Sequence, residues 1–288
     1  MLARQLFRDW TSGNALPSMR VTRGGALQLI PQISQLVSLI DIQARMALRA
    51  DASRMFLGYF WWALEPLLYV AVFYLVFGVI LDSRREDFLL FLVCGKLPFM
   101  WFSGSVNTAS NSMLAARGLI GQTNLPKVLF PLAKVQEGLY RQAAVFALLF
   151  CIVYSNGIEP TFTWFWLFPL MLVQYLVIVP CAILGSVLVC VAQDFMRVIA
   201  LATIFLMFVS GIFWDVRSIP SLEMQQLIFA VNPIAFLLDS YRQVLMFNTL
   251  PDAGHLLWLG LAGVAATCGA VALVSRLEHW IAMRVLSL

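Results

Sequence analysis

Residues 166–192, WLFPLMLVQYLVIVPCAILGSVLVCVA, form a predominantly apolar stretch that contains no Asp, Glu, Lys or Arg. A helix rises about 1.5 Å per residue, so about 20 apolar residues cross the hydrocarbon core of a bilayer. Four other stretches qualify as membrane-spanning helices: 60–81, 88–110, 137–155 and 255–275. The sequence therefore predicts an all-α integral membrane protein.

A sixth stretch, 198–214, is shorter, at about 25 Å by the same helical rise. Phe213 and Trp214 at its end are aromatic residues of the kind that favour a membrane interface, so the flank helps this stretch to cross. We therefore predict six transmembrane helices. An even number of spans places both chain termini on the same side of the membrane.

The overall composition agrees with a membrane protein. Hydrophobic residues make up 61% of the chain and charged residues 12%, with a mean hydropathy of +0.85. A soluble domain is typically about half apolar and about a quarter charged. Lipid must therefore cover part of this surface, which argues against a soluble enzyme. The net charge of +4 is small and fits positive residues placed at the membrane surface. No basic stripe suggests a nucleic-acid partner.

Residues that usually carry chemistry are scattered along the chain. The five cysteines show no CxxC spacing, and His255 and His279 are far apart. No phosphate-binding loop of the form GxxxxGK[ST] is present, because Gly95-Lys96 is followed by Leu97. We therefore expect no metal site, no catalytic residue and no cofactor bound by this chain. Any ATP-driven step belongs to another chain.

Positive charge predicts the orientation of the spans, because cytoplasmic loops are rich in Lys and Arg. Segment 1–59 carries seven arginines, so both termini are predicted to be cytoplasmic. We divide the chain into a cytoplasmic N-terminal segment 1–28, a six-span domain 58–276 and a cytoplasmic tail 277–288. The loops on the opposite side carry few positive residues: Arg84, Arg85, Arg217 and Arg242.

The segment 29–57 has the pattern of an amphipathic helix. Asp41, Arg45 and Arg49 fall four residues apart, which places them on one face. We predict a helix that lies on the inner leaflet. Its arginines point either to lipid headgroups, as in a simple anchor, or to a protein partner. Its apolar residues recur at helical spacing: Leu29, Ile33, Leu36, Val37, Ile40, Ala44 and Leu48.

Residues 215–254 connect the last two predicted spans and are too apolar for a solvated loop. Pro220 and Pro233 divide them into two short helical pieces, about 221–231 and 234–247. Non-helical backbone at membrane depth requires cover from protein or from a water-filled cavity. We predict two short re-entrant or interface-lying helices at the outer mouth of a pathway. A pair of ordinary surface helices is the alternative.

Two ionisable residues fall inside predicted spans, where a charge is costly unless it is paired, hydrated or near an interface. Glu65 is followed by Pro66, which loosens the hydrogen bonding of the first span. Lys96 lies about 12 Å from the outer end of the second span. It faces either lipid or a hydrated interior, and we favour the interior. Aromatic residues nearby form either interfacial belts or a channel lining: Tyr59, Trp62 and Trp101.

The inner connection 114–127 mixes small, polar and basic residues and fits a docking segment for a soluble partner. Short motifs around it form an ordered set over roughly residues 30–280. They are Gly58-Tyr59-Phe60-Trp61-Trp62-Ala63-Leu64-Glu65-Pro66, Cys94-Gly95-Lys96-Leu97-Pro98, Asn111-Ser112, Arg117-Gly118-Leu119-Ile120, Pro126, Pro131, Asn232-Pro233 and Arg242. This set resembles the type-2 ABC exporter permeases of bacterial surface polysaccharides. Lys96 departs from that resemblance, because an apolar residue is usual at its position.

The resemblance implies a homodimer of six-span permeases that works with two copies of a separate ABC ATPase. ATP and Mg would be bound by that ATPase. The cargo would be a lipid-linked polysaccharide, such as O-antigen or capsule, crossing the bacterial inner membrane. A pair of short periplasmic helices would stand at the exit.

The resemblance also implies roles for particular residues. The ATPase-coupling residues would be Arg45, Arg49, Arg117, Gly118, Leu119 and Ile120. The channel-lining residues would be Tyr59, Trp62, Glu65, Lys96 and Trp101. The periplasmic helices would include Asn232, Pro233, Tyr241 and Arg242.

Other functions are compatible with the same pattern. A related permease for teichoic acid or for a small lipophilic substrate is one. A membrane enzyme acting on lipid-linked sugars is another, although its acidic candidates Asp215, Asp239 and Asp252 are dispersed. A structural membrane subunit without a transport path is a third, for which Glu65 and Lys96 would be unusual residues.

Overall fold

A computed structural model describes residues 29–80, 87–123 and 125–287. The predicted cytoplasmic segment 1–28 lies outside these residues, as do Arg84 and Arg85. In the described ranges every regular element is helical, which confirms the predicted all-α fold. The α-helices are α1 Leu29–Arg54, α2 Trp61–Phe73, α3 Phe88–Ser110, α4 Ser112–Ala115, α5 Arg117–Gln122, α6 Leu129–Ser155, α7 Leu167–Val191, α8 Phe195–Val209, α9 Leu222–Val231, α10 Pro233–Leu245 and α11 Ala253–Ser287.

Shorter helical turns join some of these elements. A π-helix, Tyr74–Ile80, continues α2, and 3-10 turns occupy Gly58–Phe60, Phe162–Trp166 and Val216–Ser218. Five helical segments of the described chain are long and apolar enough to cross a membrane, which is the pattern of a multi-pass membrane protein. They are Gly58–Val76, Phe88–Ser110, Leu129–Ser155, Phe162–Val191 and Ala253–Ser287.

Two of these helices are longer than the sequence predicts. α6 begins at Leu129, eight residues before 137, because Pro131 in its first turn removes no helical hydrogen bond. Lys134 is accommodated there by an ion pair with Glu137 at 2.7 Å. α11 has 35 residues, or about 52 Å by the helical rise, so it continues well past 275. The predicted tail 277–288 is therefore helical to Ser287.

The sixth predicted span is shorter than expected. α8 has 15 residues, about 22 Å by the helical rise, so the count of six spans is not confirmed. The helix ends before 214 because Gly211 adopts a left-handed backbone with φ of 73°. The backbone then turns at Ser210–Gly211, and Trp214 donates its indole N–H back to the Phe208 carbonyl at 2.8 Å.

α3 and α7 form the centre of the bundle. In the single chain, 78% of the most apolar part of α3 and 67% of that of α7 are buried, against 11% for the segment that contains α2. α6 and α10 pack on α3, and α11 packs along α7. A Cβ at Gly185 of α7 would overlap Ser110 of α3, so this glycine permits the two central helices to approach closely.

The predicted amphipathic helix is observed as α1, which ends at Arg54. Ala44, Leu48 and Ala52 follow one another at four-residue spacing and are buried. The partner of this face is α6. α1 therefore packs on a membrane-length helix through its apolar face, and its position on the inner leaflet stays a prediction.

The two outer helices differ from one another. α9 has no buried residue, whereas α10 is buried along most of its length, from Ile234 to Leu245. α10 packs against α3, α7 and α9. Its burial explains why the segment is too apolar for a solvated loop.

Candidate functional site

We call the end of the bundle that contains Phe88 and Ser210 the outer end, following the orientation predicted from charge. A polar stripe runs along α3 towards the other end. It consists of residues at helical spacing that are exposed or half-buried on an otherwise buried helix: Ser103, Gly104, Asn107, Thr108 and Asn111. Polar groups facing lipid are costly, so such a stripe favours a hydrated or protein-lined space.

α8 lies beside the polar stripe and runs antiparallel to α3. Asn107 donates its side-chain N–H to the Thr203 hydroxyl at 3.0 Å. Nearer the outer end, the Lys96 ammonium donates to the Met207 sulfur at 3.0 Å. These two contacts place α8 along one edge of the stripe. At Gly104 a Cβ would meet no atom within 4 Å, so the stripe is open there in the single chain.

α2 and α8 meet over the outer end of the stripe. The Phe73 and Phe213 rings are 4.9 Å apart, and Phe213 lies 5.5 Å from Phe208, measured between centroids. The three rings bridge the two helices. We call the open face of α3 that carries the polar stripe, bordered by α8 and, at its outer end beside Lys96, by α2, the cleft.

Lys96 lies in the floor of the cleft beneath this bridge and is 6% exposed. Its ammonium is 4.9 Å from the centroid of the Phe73 ring, 5.5 Å from that of Tyr69 and 5.9 Å from that of Phe99. Such cation–π contacts are favourable in a site without water. No carboxylate among the described residues pairs with it. Lys96 is therefore buried within the chain among aromatic rings, and a hydrated interior around it stays a prediction.

The other predicted channel-lining residues occupy different positions. Tyr59 is exposed and forms an edge-to-face pair with Trp62, with centroids 4.9 Å apart. Glu65 is exposed on α2. Trp101 is 3% exposed and packs against Phe146 of α6, which makes it part of the interior packing.

Arg242 of α10 joins three elements at the outer end. It donates to the carbonyls of Phe91 at 3.2 Å, Gly211 at 2.8 Å and Ile212 at 3.2 Å. Its guanidinium also lies 3.5 Å from the centroid of the Phe91 ring. A Cβ at Gly95 would overlap this guanidinium, which explains the glycine in the second-span motif.

Further polar contacts hold α10 in place. The Asn232 side chain caps the helix by accepting from Ile234 and Ala235 at 3.1 Å, with Pro233 as the first helical residue. Its amide also donates to Ser210 at 3.0 Å. Tyr241, the remaining predicted residue, is fully buried.

An ion pair on α10 faces the outer surface. Arg217 donates to both carboxylate oxygens of Asp239 at distances of 2.8 to 3.1 Å. Hydrogen bonding to Asp239 raises the pKa of Arg217 above its ordinary value. Gln243 donates to the same carboxylate at 2.6 Å. The side chain of Arg217 thereby connects the turn Val216–Ser218 to α10.

At the inner end, charged residues join α1 to α6. The Tyr140 hydroxyl donates to Asp41, which is also paired with Arg45 at 3.0 Å. These hydrogen bonds, that of Tyr140 first, hold the pKa of Asp41 below its ordinary value. Arg141 pairs with Asp51 of α1 and with a glutamate of its own helix. Of the predicted coupling residues on α1, Arg45 is thus paired within the chain, and Arg49 is exposed.

The predicted docking segment forms α5 and is supported by the end of α11. Arg117 donates to the Leu286 carbonyl at 2.7 Å. Ile120 is buried, Leu119 is half-buried, and Gly118 is exposed with open space around it. Just after α5, the Lys127 backbone N–H donates to Glu278 at 3.3 Å. Sequence reasoning missed this support because it ended the last span at 275.

The described residues contain no cluster of three His, Cys, Asp or Glu that would hold a metal ion. Their cysteines are unpaired; Cys94 and Cys190 are buried and the others are exposed.

Comparison with known proteins identifies the family. The model of the ABC-2 type transporter family matches residues 44–246. The O-antigen export system permease protein RfbA of Klebsiella pneumoniae is 25% identical over 86% of this chain and 95% of its own length. Its namesake from Myxococcus xanthus is 24% identical over 88% and 98%. The polysialic acid transport protein KpsM of Escherichia coli is 26% identical over 71% and 80%. With most of its length matched, this chain belongs to the ABC-2 type transporter family.

Proposed function

We propose that this chain is the membrane permease of an ATP-driven exporter and that its cargo is a lipid-linked polysaccharide, such as O-antigen or capsule. The named activities of the relatives support this cargo, since they are an O-antigen export permease and a polysialic acid transport protein. The chain covers nearly all of the O-antigen permeases in length. The bacterial inner membrane is the proposed location.

The observation that carries the proposal is the polar stripe on α3. A glycan chain has many hydroxyl groups, and it needs hydrogen-bonding partners or water throughout the bilayer. Asn107 and Thr108 place side-chain oxygens on this face, while their donor groups bond to Ser103, Thr203 and Gly104, and Gly104 leaves room beside them. A purely lipophilic cargo would have no use for this surface.

The proposed topology has six crossings with both termini in the cytoplasm. α8 alone is short, but the turn that follows it reaches the level of Phe91 through the Arg242 contacts to Gly211 and Ile212. The same α8 is beside Asn107 through Thr203. The two places on α3 that these contacts mark, Phe91 and Asn107, are 16 residues apart, or about 24 Å by the helical rise. In this arrangement α9 and α10 are the short re-entrant pair.

The proposed assembly is a homodimer that closes the cleft. α2 and α8 flank the stripe, and both present large apolar side chains outward. Exposed residues of α2 include Leu68, Tyr69 and Val72, with Glu65 on the same side. A second copy facing this surface would turn two open clefts into one enclosed path.

The proposed ATPase partner docks at the inner end. Arg49, Arg117 and Gly118 are exposed there and available to a soluble subunit. Closure of the ATPase pair on ATP would press on α1 and α5. The ion pairs of Arg141 would carry the movement of α1 to α6, and the contact of Arg117 with α11 would carry that of α5. ATP and Mg would be held by the partner.

The direct test uses a strain in which the gene for this chain is deleted. The deletion should abolish surface polysaccharide and leave lipid-linked glycan on the cytoplasmic side, and the wild-type gene should restore export. Gly104→Leu should block export by filling the stripe, whereas Gly269→Leu, which also enters open space but on α11, should not. Normal surface glycan in the deletion strain would refute the proposed cargo.

A further inference from the structure

Among the described residues, Lys96 and Arg242 are cations buried in the outer half of the bundle, and of these two Arg242 alone has oxygen partners. Arg242 donates to three backbone carbonyls. Lys96 is nearly as buried, yet its contacts are the Met207 sulfur and three aromatic rings. Sulfur is a weak acceptor, and ring faces offset only part of the cost of removing an ammonium from water. Lys96 therefore keeps unused capacity to bind an anion.

The position of Lys96 connects that capacity to the cleft. It lies on the same face of α3 as Ser103 and Asn107, seven and eleven residues further along the helix. Its ammonium sits between α2 and α8, where Tyr69 is about half exposed. Of the three rings around the ammonium, that of Tyr69 is the most exposed, so an anion would reach Lys96 from its side. The long, flexible lysine stem allows the charge to follow a passing group.

We infer that Lys96 binds an anionic group of the cargo, a phosphate or a carboxylate, as the glycan passes the outer half of the cleft. This inference rests on the proposed function. A phosphate or carboxylate would replace the sulfur and ring contacts with a charge-assisted hydrogen bond, which is about twice as strong as a neutral one. The anion has two possible sources, the phosphate link to the carrier lipid or an acidic sugar.

A packing role alone does not require the charge. A methionine has nearly the same length, fills the same space among aromatic rings and needs no desolvation. The pair Lys96→Met and Lys96→Arg therefore separates charge from volume. Lys134→Met is a matched control, because Lys134 lies at the far end of the bundle and is paired with Glu137.

The first arm measures binding to the purified full-length permease in lipid nanodiscs by tryptophan fluorescence. The probes are farnesyl pyrophosphate, a galacturonic acid hexamer and the neutral hexamer maltohexaose. We expect Lys96→Met to weaken binding of at least one anionic probe by about tenfold or more, the factor that about 1.4 kcal/mol produces. Lys96→Arg and Lys134→Met should bind like the wild type, and maltohexaose should be unaffected by all three. The responding probe identifies the source of the anion.

The second arm measures export in the deletion strain, with the amount of each variant in the membrane as a control. Lys96→Met should insert normally and export several-fold less glycan, and Lys96→Arg should restore export. Unchanged binding of both anionic probes to Lys96→Met, or equal loss for the neutral probe, would overturn the inference and leave the proposed function standing. Failure of the wild-type chain to restore export would instead overturn the proposed function.

Discussion

Lys96 and Arg242 are both cations in the outer half of the bundle, but they are held in different ways. Arg242 is bonded to carbonyls of α3 and of the turn after α8, so its charge is used within the fold. Lys96 has a sulfur and aromatic rings around it and lies in the floor of the cleft. A buried charge with oxygen partners on several elements stabilises a structure, whereas one without them is available to a ligand. Three experiments separate the two cases, and a fourth tests the charged contact at the inner end.

The largest effect is expected for Arg242→Met. The change leaves the carbonyls of Gly211 and Ile212 without the donor that Arg242 supplies and the Phe91 carbonyl with its helical partner alone, at about 1–3 kcal/mol for each carbonyl left unsatisfied. The permease should fail to accumulate in the membrane or should melt far below the wild type. Fluorescence-detected size exclusion after a heating series measures this. A stable, monodisperse Arg242→Met variant would show that the carbonyls do not depend on Arg242.

Gly95→Ala tests the position of the Arg242 guanidinium by placing a methyl group against it. The new Cβ overlaps the Arg242 guanidinium, so the variant should lose about 1–3 kcal/mol of stability. Gly104→Ala lies on the same helix and enters open space, which makes it the matched control. The two melting temperatures should differ clearly. Equal melting would mean that Arg242 moves aside without cost.

Lys96→Met should behave in the opposite manner to Arg242→Met. Removal of an ammonium without an oxygen partner leaves nothing unsatisfied, so stability should be unchanged or raised by up to about 2 kcal/mol. The same melting assay measures it, next to Arg242→Met. A large loss of stability would place Lys96 with Arg242 as a residue that holds the fold together.

The smallest effect is expected at the inner end. The pKa of Asp41 is held down mainly by the hydrogen bond from Tyr140, so the contact of α1 with α6 is present above the ordinary carboxyl pKa and is lost as pH falls through the lowered value. Tyr140→Phe removes this bond. Hydrogen exchange of α1 should become faster in the variant at neutral pH and should respond less to acid. Identical exchange in both proteins would show that Arg141 alone holds α1.

The sequence predicted the helical class and the five long apolar helices, because a continuous apolar run of that length is typical of a membrane-spanning helix. It placed the end of the sixth predicted span, 198–214, too late, since only the backbone shows that Gly211 ends α8. It ended the last span at 275 because Arg276 and Glu278 interrupt the apolar run, although α11 continues beyond them to support α5.

The site was less predictable than the fold. The residues of the polar stripe appear as an ordinary mixed segment, SGSVNTASN, within an apolar window. Helical spacing relates these residues to one face, but that this face is the open one becomes visible only when α3 is known to be buried on its other sides. A search for polar residues at helical spacing inside the second span would have found them. Trp101 was chosen for its ring, but its neighbours on α6 determine that it is buried.

The central claim is that the polar stripe lines a hydrated path, and cysteine accessibility tests it most directly. Gly104→Cys and Thr108→Cys would be introduced singly into a chain without its native cysteines, with Val106→Cys, buried on the same helix, as the control. In membranes that contain the whole exporter, a charged methanethiosulfonate reagent should modify residues 104 and 108, faster during ATP turnover, and should spare 106. If 104 and 108 are as unreactive as 106 with and without ATP, the stripe is not a path for a hydrophilic cargo.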